Sequence, residues 1–168
     1  TSVRRIRQWL GSADDDPMGA DPAAPAPAVG IKAGREALDG EAGVRALGHR
    51  EQIGGKWEEI GRLQFDFLLA QGLQPHHYYL DVACGALRGG VHLIPYLERG
   101  HYLGIEKEAL LVEAGLREEL GEAVAADKRP EIVISSTFEF DKLSARPDFA
   151  LAQSLFTHLP PETIEPCL

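Results

Sequence analysis

The chain has 168 residues, 44 % of them hydrophobic, which is enough for one domain with a proper core. Its net charge of -9 and isoelectric point near 5.1 argue against a surface built to attract phosphate backbones or anionic membranes, so neither nucleic acid nor a membrane is an expected partner. Two distant cysteines, Cys84 and Cys167, do not make a disulfide framework, and no apolar run suits a membrane span or signal peptide; the expected compartment is the cytoplasm.

Residues 1–33 read as a flexible arm rich in Pro and Ala. Pro17, Pro22, Pro25 and Pro27 oppose a helix there, although the first ten residues could form a short basic one. Residues 34–74 read as a helical cap segment. Its first part is weakly patterned, with Ala37, Leu38, Val44 and Leu47 interrupted by Gly40 and Gly43. Its second part is clearer: Trp57, Ile60, Leu63, Gln64, Phe67 and Leu68 recur at helical spacing and predict an amphipathic helix over residues 56–71. Gly72 and Pro75 end it. Trp57 either anchors the core or covers a ligand. The pair His76-His77 lacks the spaced ligands that a metal site needs.

Residues 75–168 alternate between strands and helices. Tyr78 to Ala83 is an apolar strand with one acid, Asp81, followed by a small-residue turn and a helix over residues 88–97 that contains Pro95. His101 to Glu106 is a second strand, again ending in an acid. A second helix carries Val112, Leu116, Leu120 and Val124 on one face, with Glu113 and Arg117 placed to pair. Ile132 to Ile134 reads as a strand buried on both faces, and Phe149 to Ala152 as a fourth strand, introduced by Pro147-Asp148. Such alternation predicts an α/β, doubly wound, mainly parallel Rossmann-like sheet with ligands beyond the carboxyl ends of its strands.

The turn after the first strand lacks the glycine spacing of a dinucleotide fingerprint and the Gly-Lys-Ser/Thr ending of a P-loop. Cys84 and Arg88 are too close in sequence to wrap a phosphate, and Cys84 reads as a small packing residue. Glu106 is placed either to accept hydrogen bonds from vicinal hydroxyls of a ribose or to cap the helix that follows. Asp81 either binds ligand or fixes the turn.

Three segments together carry a resemblance: Leu80-Asp81-Val82-Ala83-Cys84-Gly85, Tyr102-Leu103-Gly104-Ile105-Glu106, and Phe149-Ala150-Leu151-Ala152-Gln153-Ser154 with the residues up to Leu159. In order and spacing they resemble the class I S-adenosylmethionine-dependent methyltransferases. The resemblance implies S-adenosyl-L-methionine as cofactor and methyl transfer to an O, N or C nucleophile, with a small molecule as the expected acceptor. It implies that Asp81, Ala83, Cys84 and Gly85 line the methionyl part, that Glu106 holds the ribose, and that Lys107 lies beside the adenosine. Thr137 and Phe138 stand where the family contacts adenine, and Gln153 and Ser154 match the segment facing the sulfonium and acceptor. Ala83 replaces the family's usual glycine, which a negative φ would allow. His158 is either a general base or a packing histidine. The family's sheet is seven-stranded, so the expectation is a fold incomplete at its C-terminal side. The strand-four edge would then be covered by a missing segment or a second copy, or the chain would bind without catalysing.

Overall fold

The computed structural model describes residues 40–156 together with Leu159 and Ile164. The arm expected over residues 1–33 lies outside the described residues, as do residues 34–39 of the expected cap segment.

Before the sheet come α1 (Gly40–Leu47), α2 (His49–Gln52) and α3 (Trp57–Ala70). The last matches the amphipathic helix read over residues 56–71. Its buried stripe is Trp57, Gly61, Gln64 and Leu68, all on one helical face. Leu63, read as part of that stripe, is instead 57 % exposed. A Schellman motif closes the helix: Leu73 N–H donates to the Leu68 carbonyl at 3.0 Å and Gly72 N–H to that of Leu69 at 2.9 Å.

Strands β1 (Tyr79–Val82), β2 (Tyr102–Glu106), β3 (Glu131–Ile134) and β4 (Phe149–Leu151) form one parallel sheet in the order β3-β2-β1-β4. The order reverses beside β1, which puts the ligand crevice of such a sheet at the carboxyl ends of β1 and β4. Asp148 locks this junction, since its carboxylate accepts from Tyr78 N–H at 2.9 Å while its own N–H donates to the Tyr78 carbonyl at 2.8 Å.

Side-chain alternation along the strands divides the core. Tyr79 and Tyr102 face the helices and pack with Leu68, Leu93, Ile94, Leu97, Val112 and Leu120. Leu80, Val82, Leu103 and Ile105 face the other way, where Phe138, Phe140 and Leu143 of the β3–β4 connection cover them. Burying each of these aliphatic side chains contributes about 1.5–3 kcal/mol. Within that connection the regular structure is one 3-10 turn, Phe140–Lys142.

Three sequence expectations change. The first crossover helix, α4 (Gly90–Tyr96), starts two residues later than expected because the turn before it is longer; Pro95 lies in its last turn. The second crossover is not one helix: α5 (Ala109–Ala114) passes into a π-helical stretch, Gly115–Leu120, then breaks at Gly121 before α6 (Glu122–Lys128). Val112 and Leu120 nevertheless pack into the same core, with Leu116 and Val124 against it, and Arg117 pairs with Glu113 at 3.2 Å. Finally, β3 is an edge strand rather than a strand buried on both faces. Its residues are half-buried and Ile134 is 47 % exposed, because β2 pairs with it on one side and no described strand on the other.

Candidate functional site

The turn after β1 leaves the strand with Ala83, Gly85 and Leu87 all at positive φ, 61°, 55° and 65°. The negative φ that would let alanine replace glycine freely is not what Ala83 adopts: the chain bends here through the left-handed region that glycine favours, and alanine adopts it at a cost. Two contacts from Glu106 and Cys84 hold the bend. Gly85 N–H donates to Glu106 Oε2 at 2.8 Å, and Cys84 N–H to the Ile105 carbonyl at 3.1 Å. The other Glu106 oxygen accepts from Lys107 N–H at 2.8 Å and Glu108 N–H at 3.0 Å. One buried carboxylate therefore ties the turns after β1 and β2 together.

Helix α3 closes against this turn where it has no side chain: a Cβ on Gly61 would lie 2.5 Å from the Arg88 carbonyl oxygen. Arg88 in turn reaches back, its Nη1 donating to the Gly55 carbonyl at 2.9 Å and that of Ile53 at 3.3 Å. The loop between α2 and α3 is thereby fastened beside the turn. A second clasp acts from outside, where Glu119 accepts from His49 Nε2 at 2.5 Å and from both Arg50 Nε and Nη2 at 2.7 and 2.6 Å.

The electrostatics centre on Asp81. Its carboxylate is 5 % exposed and Oδ2 accepts from the Tyr102 hydroxyl at 2.8 Å. Burial pushes its pKa up to about 6; the Tyr102 hydrogen bond opposes this, the Glu106 charge adds to it, and Arg88 opposes it. Burial lowers the Arg88 pKa and Asp81 counters that. Burial also pushes the Cys84 thiol well up, so it stays protonated and acts as a packing residue rather than a nucleophile.

These groups border a cavity of about 550 Å³ at the carboxyl end of β1. It is lined by Asp81, Ala83, Cys84, Gly85, Gln153 and Ser154, all named from the sequence. Glu106 sits behind the turn. Lys107 is exposed at the head of α5, and Thr137 and Phe138 lie on the β3–β4 connection, Phe138 packed over the opposite face near Phe140; none of these four lines the cavity. His158 lies outside the described residues. Trp57 is a core anchor against Ala86 and Leu111. Among the described residues no group of three or more His, Cys, Asp or Glu could hold a metal.

Sequence reasoning missed Gln52, Ile53, Lys56, Gln64 and Arg88 as cavity residues. Gln64 alone left a signal: it is a polar residue inside an otherwise apolar helical stripe. Gln52 and Ile53 come from a segment with no clear pattern, and Lys56 and Arg88 stand at the starts of expected helices, where local pattern does not say what a side chain faces.

No protein-family model matches the sequence, and no curated protein matches it either. Its structure does match solved ones. Magnesium protoporphyrin IX methyltransferase from Synechocystis PCC 6803 with bound SAM matches at a TM-score of 0.52 and 16 % identity, over 82 % of this chain and 62 % of that one. Over the matched residues the chain shares the parallel α/β fold of that structure. The same enzyme with bound SAH matches at 0.49 and 18 % identity, over 66 % of this chain and 50 % of that one. This chain thus spans between half and two thirds of the length of the methyltransferase structures it resembles. Among its described residues no helix is long and apolar enough to cross a membrane.

Proposed function

We propose that this chain binds S-adenosyl-L-methionine and transfers its methyl group to an O, N or C nucleophile of a small molecule. The observation that carries the reading is the cavity at the β1/β4 crevice, bordered by the Ala83–Gly85 bend and by one charge of each sign, the buried Asp81 and the half-buried Arg88. Its volume of about 550 Å³ suits a nucleoside-sized ligand. A ligand with an amino-acid end carries an ammonium and a carboxylate, and Asp81 and Arg88 offer a counter-charge to each. The methyltransferase fold and the bound SAM of the structural neighbour support the same choice.

The cofactor supplies an activated methyl on a sulfonium. The chain's own part is to hold the reactants in line and to exclude water. In this reading Asp81, Ala83, Cys84 and Gly85 face the methionyl part. Glu106 spends three acceptor sites on backbone N–H groups, and of a carboxylate's roughly four one is left for a ribose hydroxyl. Lys107, Thr137 and Phe138, which lie outside the cavity lining, are assigned to the adenosine by the resemblance alone, and Gln153 and Ser154, which line the cavity, to the sulfonium and acceptor. His158 is the proposed base for an acceptor that must lose a proton. The acidic balance supports a small molecule over nucleic acid as acceptor, and a further segment of the protein or a second copy is the proposed cover for the β4 edge.

Calorimetric titration with S-adenosylmethionine, S-adenosylhomocysteine and NAD tests the reading. Binding of the two sulfur nucleosides and not of NAD is expected; binding of neither nucleoside overturns it. Binding without turnover on any acceptor would instead make the chain a nucleoside-binding module.

A further inference from the structure

We propose that Gln64 is a ligand-binding residue whose side-chain carbonyl accepts a hydrogen bond from the ammonium group of the bound amino-acid end. This deepens the methyltransferase reading and rests on it.

Gln64 is 8 % exposed, and its Oε1 is the buried side-chain oxygen or nitrogen that finds no hydrogen-bond partner among the described residues. The other buried polar and charged residues among the described ones, Asp81, Glu106 and Ser135, are satisfied. Asp81 accepts from Tyr102, Glu106 from three backbone amides, and Ser135 Oγ from Thr137 N–H at 3.2 Å. A lone unsatisfied amide in a folded core calls for an explanation, since pairing of such groups is the rule. The explanation here is its location, because Gln64 lines the same cavity as Asp81, Gly85 and Gly89.

The site is also built to keep the amide in place. A Cβ on Gly89 would fall 2.6 Å from Gln64 Oε1, so a side chain at position 89 would displace the amide. Gly61, one turn earlier on α3, brings the helix onto the Arg88 carbonyl. Gln64 therefore projects from a rigid helix rather than a loop, and two close approaches fix its depth. The chemistry of the surroundings selects the donor. Gln64 Oε1 and the Asp81 carboxylate are both acceptors, and an ammonium is a cation with three N–H donors and no acceptor. A neutral hydroxyl would bring no positive charge to the Asp81 carboxylate.

The test titrates S-adenosylhomocysteine and its analogue lacking the α-amino group into the wild type, Gln64→Leu and Gln64→Glu, with thermal melting to establish that each variant is folded. Gln64→Leu is expected to weaken S-adenosylhomocysteine by about tenfold or more while leaving the amino-free analogue nearly unchanged. Gln64→Glu, which keeps an acceptor at that position, is expected to retain S-adenosylhomocysteine binding. Equal weakening of both ligands by Gln64→Leu, or no weakening of either, overturns the inference and leaves Gln64 as a packing group or one satisfied by an internal water. Those outcomes leave the methyltransferase reading standing. Failure of the wild type to bind S-adenosylhomocysteine overturns both.

Discussion

Gly85 N–H donates to Glu106 Oε2 across 2.8 Å, joining residues twenty-one positions apart in the chain and setting the turn after β1 against the end of β2. Because the same carboxylate also accepts from Lys107 and Glu108, its removal would orphan three amides. Hydrogen bonds to a charged group contribute about 1.5–3 kcal/mol each. Glu106→Ala should therefore cost at least about 3 kcal/mol of stability, and Glu106→Gln less, since one amide oxygen still accepts. Urea denaturation measures both; an unchanged midpoint for Glu106→Ala would show that the carboxylate does not hold the turns.

Asp81 makes stability depend on pH in a definite direction. Its folded pKa of about 6 stands above the ordinary 3.8. The contribution of a raised acid is complete below the unfolded value and is lost as pH rises through the folded one. At about 1.4 kcal/mol per pH unit, this loss is on the order of 3 kcal/mol between pH 4 and pH 7. Asp81→Asn removes the titration while keeping an acceptor for Tyr102. The stability difference between variant and wild type should thus grow in favour of the variant from pH 4 to pH 7. A difference that stays flat over that range would place the Asp81 pKa outside it.

Ala83→Gly should stabilise the fold. Alanine in the left-handed region costs about 1–2 kcal/mol, and glycine adds about 0.5–1 kcal/mol of backbone entropy to folding. A net gain of roughly 0.5–1 kcal/mol is expected, visible as a raised midpoint with an unchanged slope in urea. A loss instead would mean that the Ala83 methyl packs more than its half-buried position suggests.

Arg88 fastens the α2–α3 loop through two backbone carbonyls. Arg88→Met should release that loop at a cost of about 1–3 kcal/mol, and amides of residues 53–56 should exchange faster with solvent. Arg88→Lys should fall between, because its ammonium keeps N–H donors but carries them at a different reach and direction from the guanidinium Nη1 that donates to both the Ile53 and Gly55 carbonyls. Hydrogen exchange unaltered in that loop would show that Glu119 and its partners alone hold it.

What the sequence determined by itself was local. Apolar spacing placed α3 within a residue of its true ends, Gly72 and Pro75 marked its stop, and short apolar runs located β1, β2 and β4. Strand followed by small-residue turn also picked out Asp81, Ala83, Cys84 and Gly85 beside the cavity. These features are encoded within a few residues, in periodicity and capping. Tertiary structure decided the rest. Ile132 to Ile134 has the same apolar pattern whether central or at an edge, and only the order β3-β2-β1-β4 makes it an edge. The positive φ of Ala83 follows from how sharply the chain must leave β1 to be caught by Glu106. Arg88 and Gln64 reach the cavity because α3 packs down on the turn through Gly61, a contact between segments that no local pattern records. Which groups meet across such distances depends on how the crossovers close and which surfaces they bury.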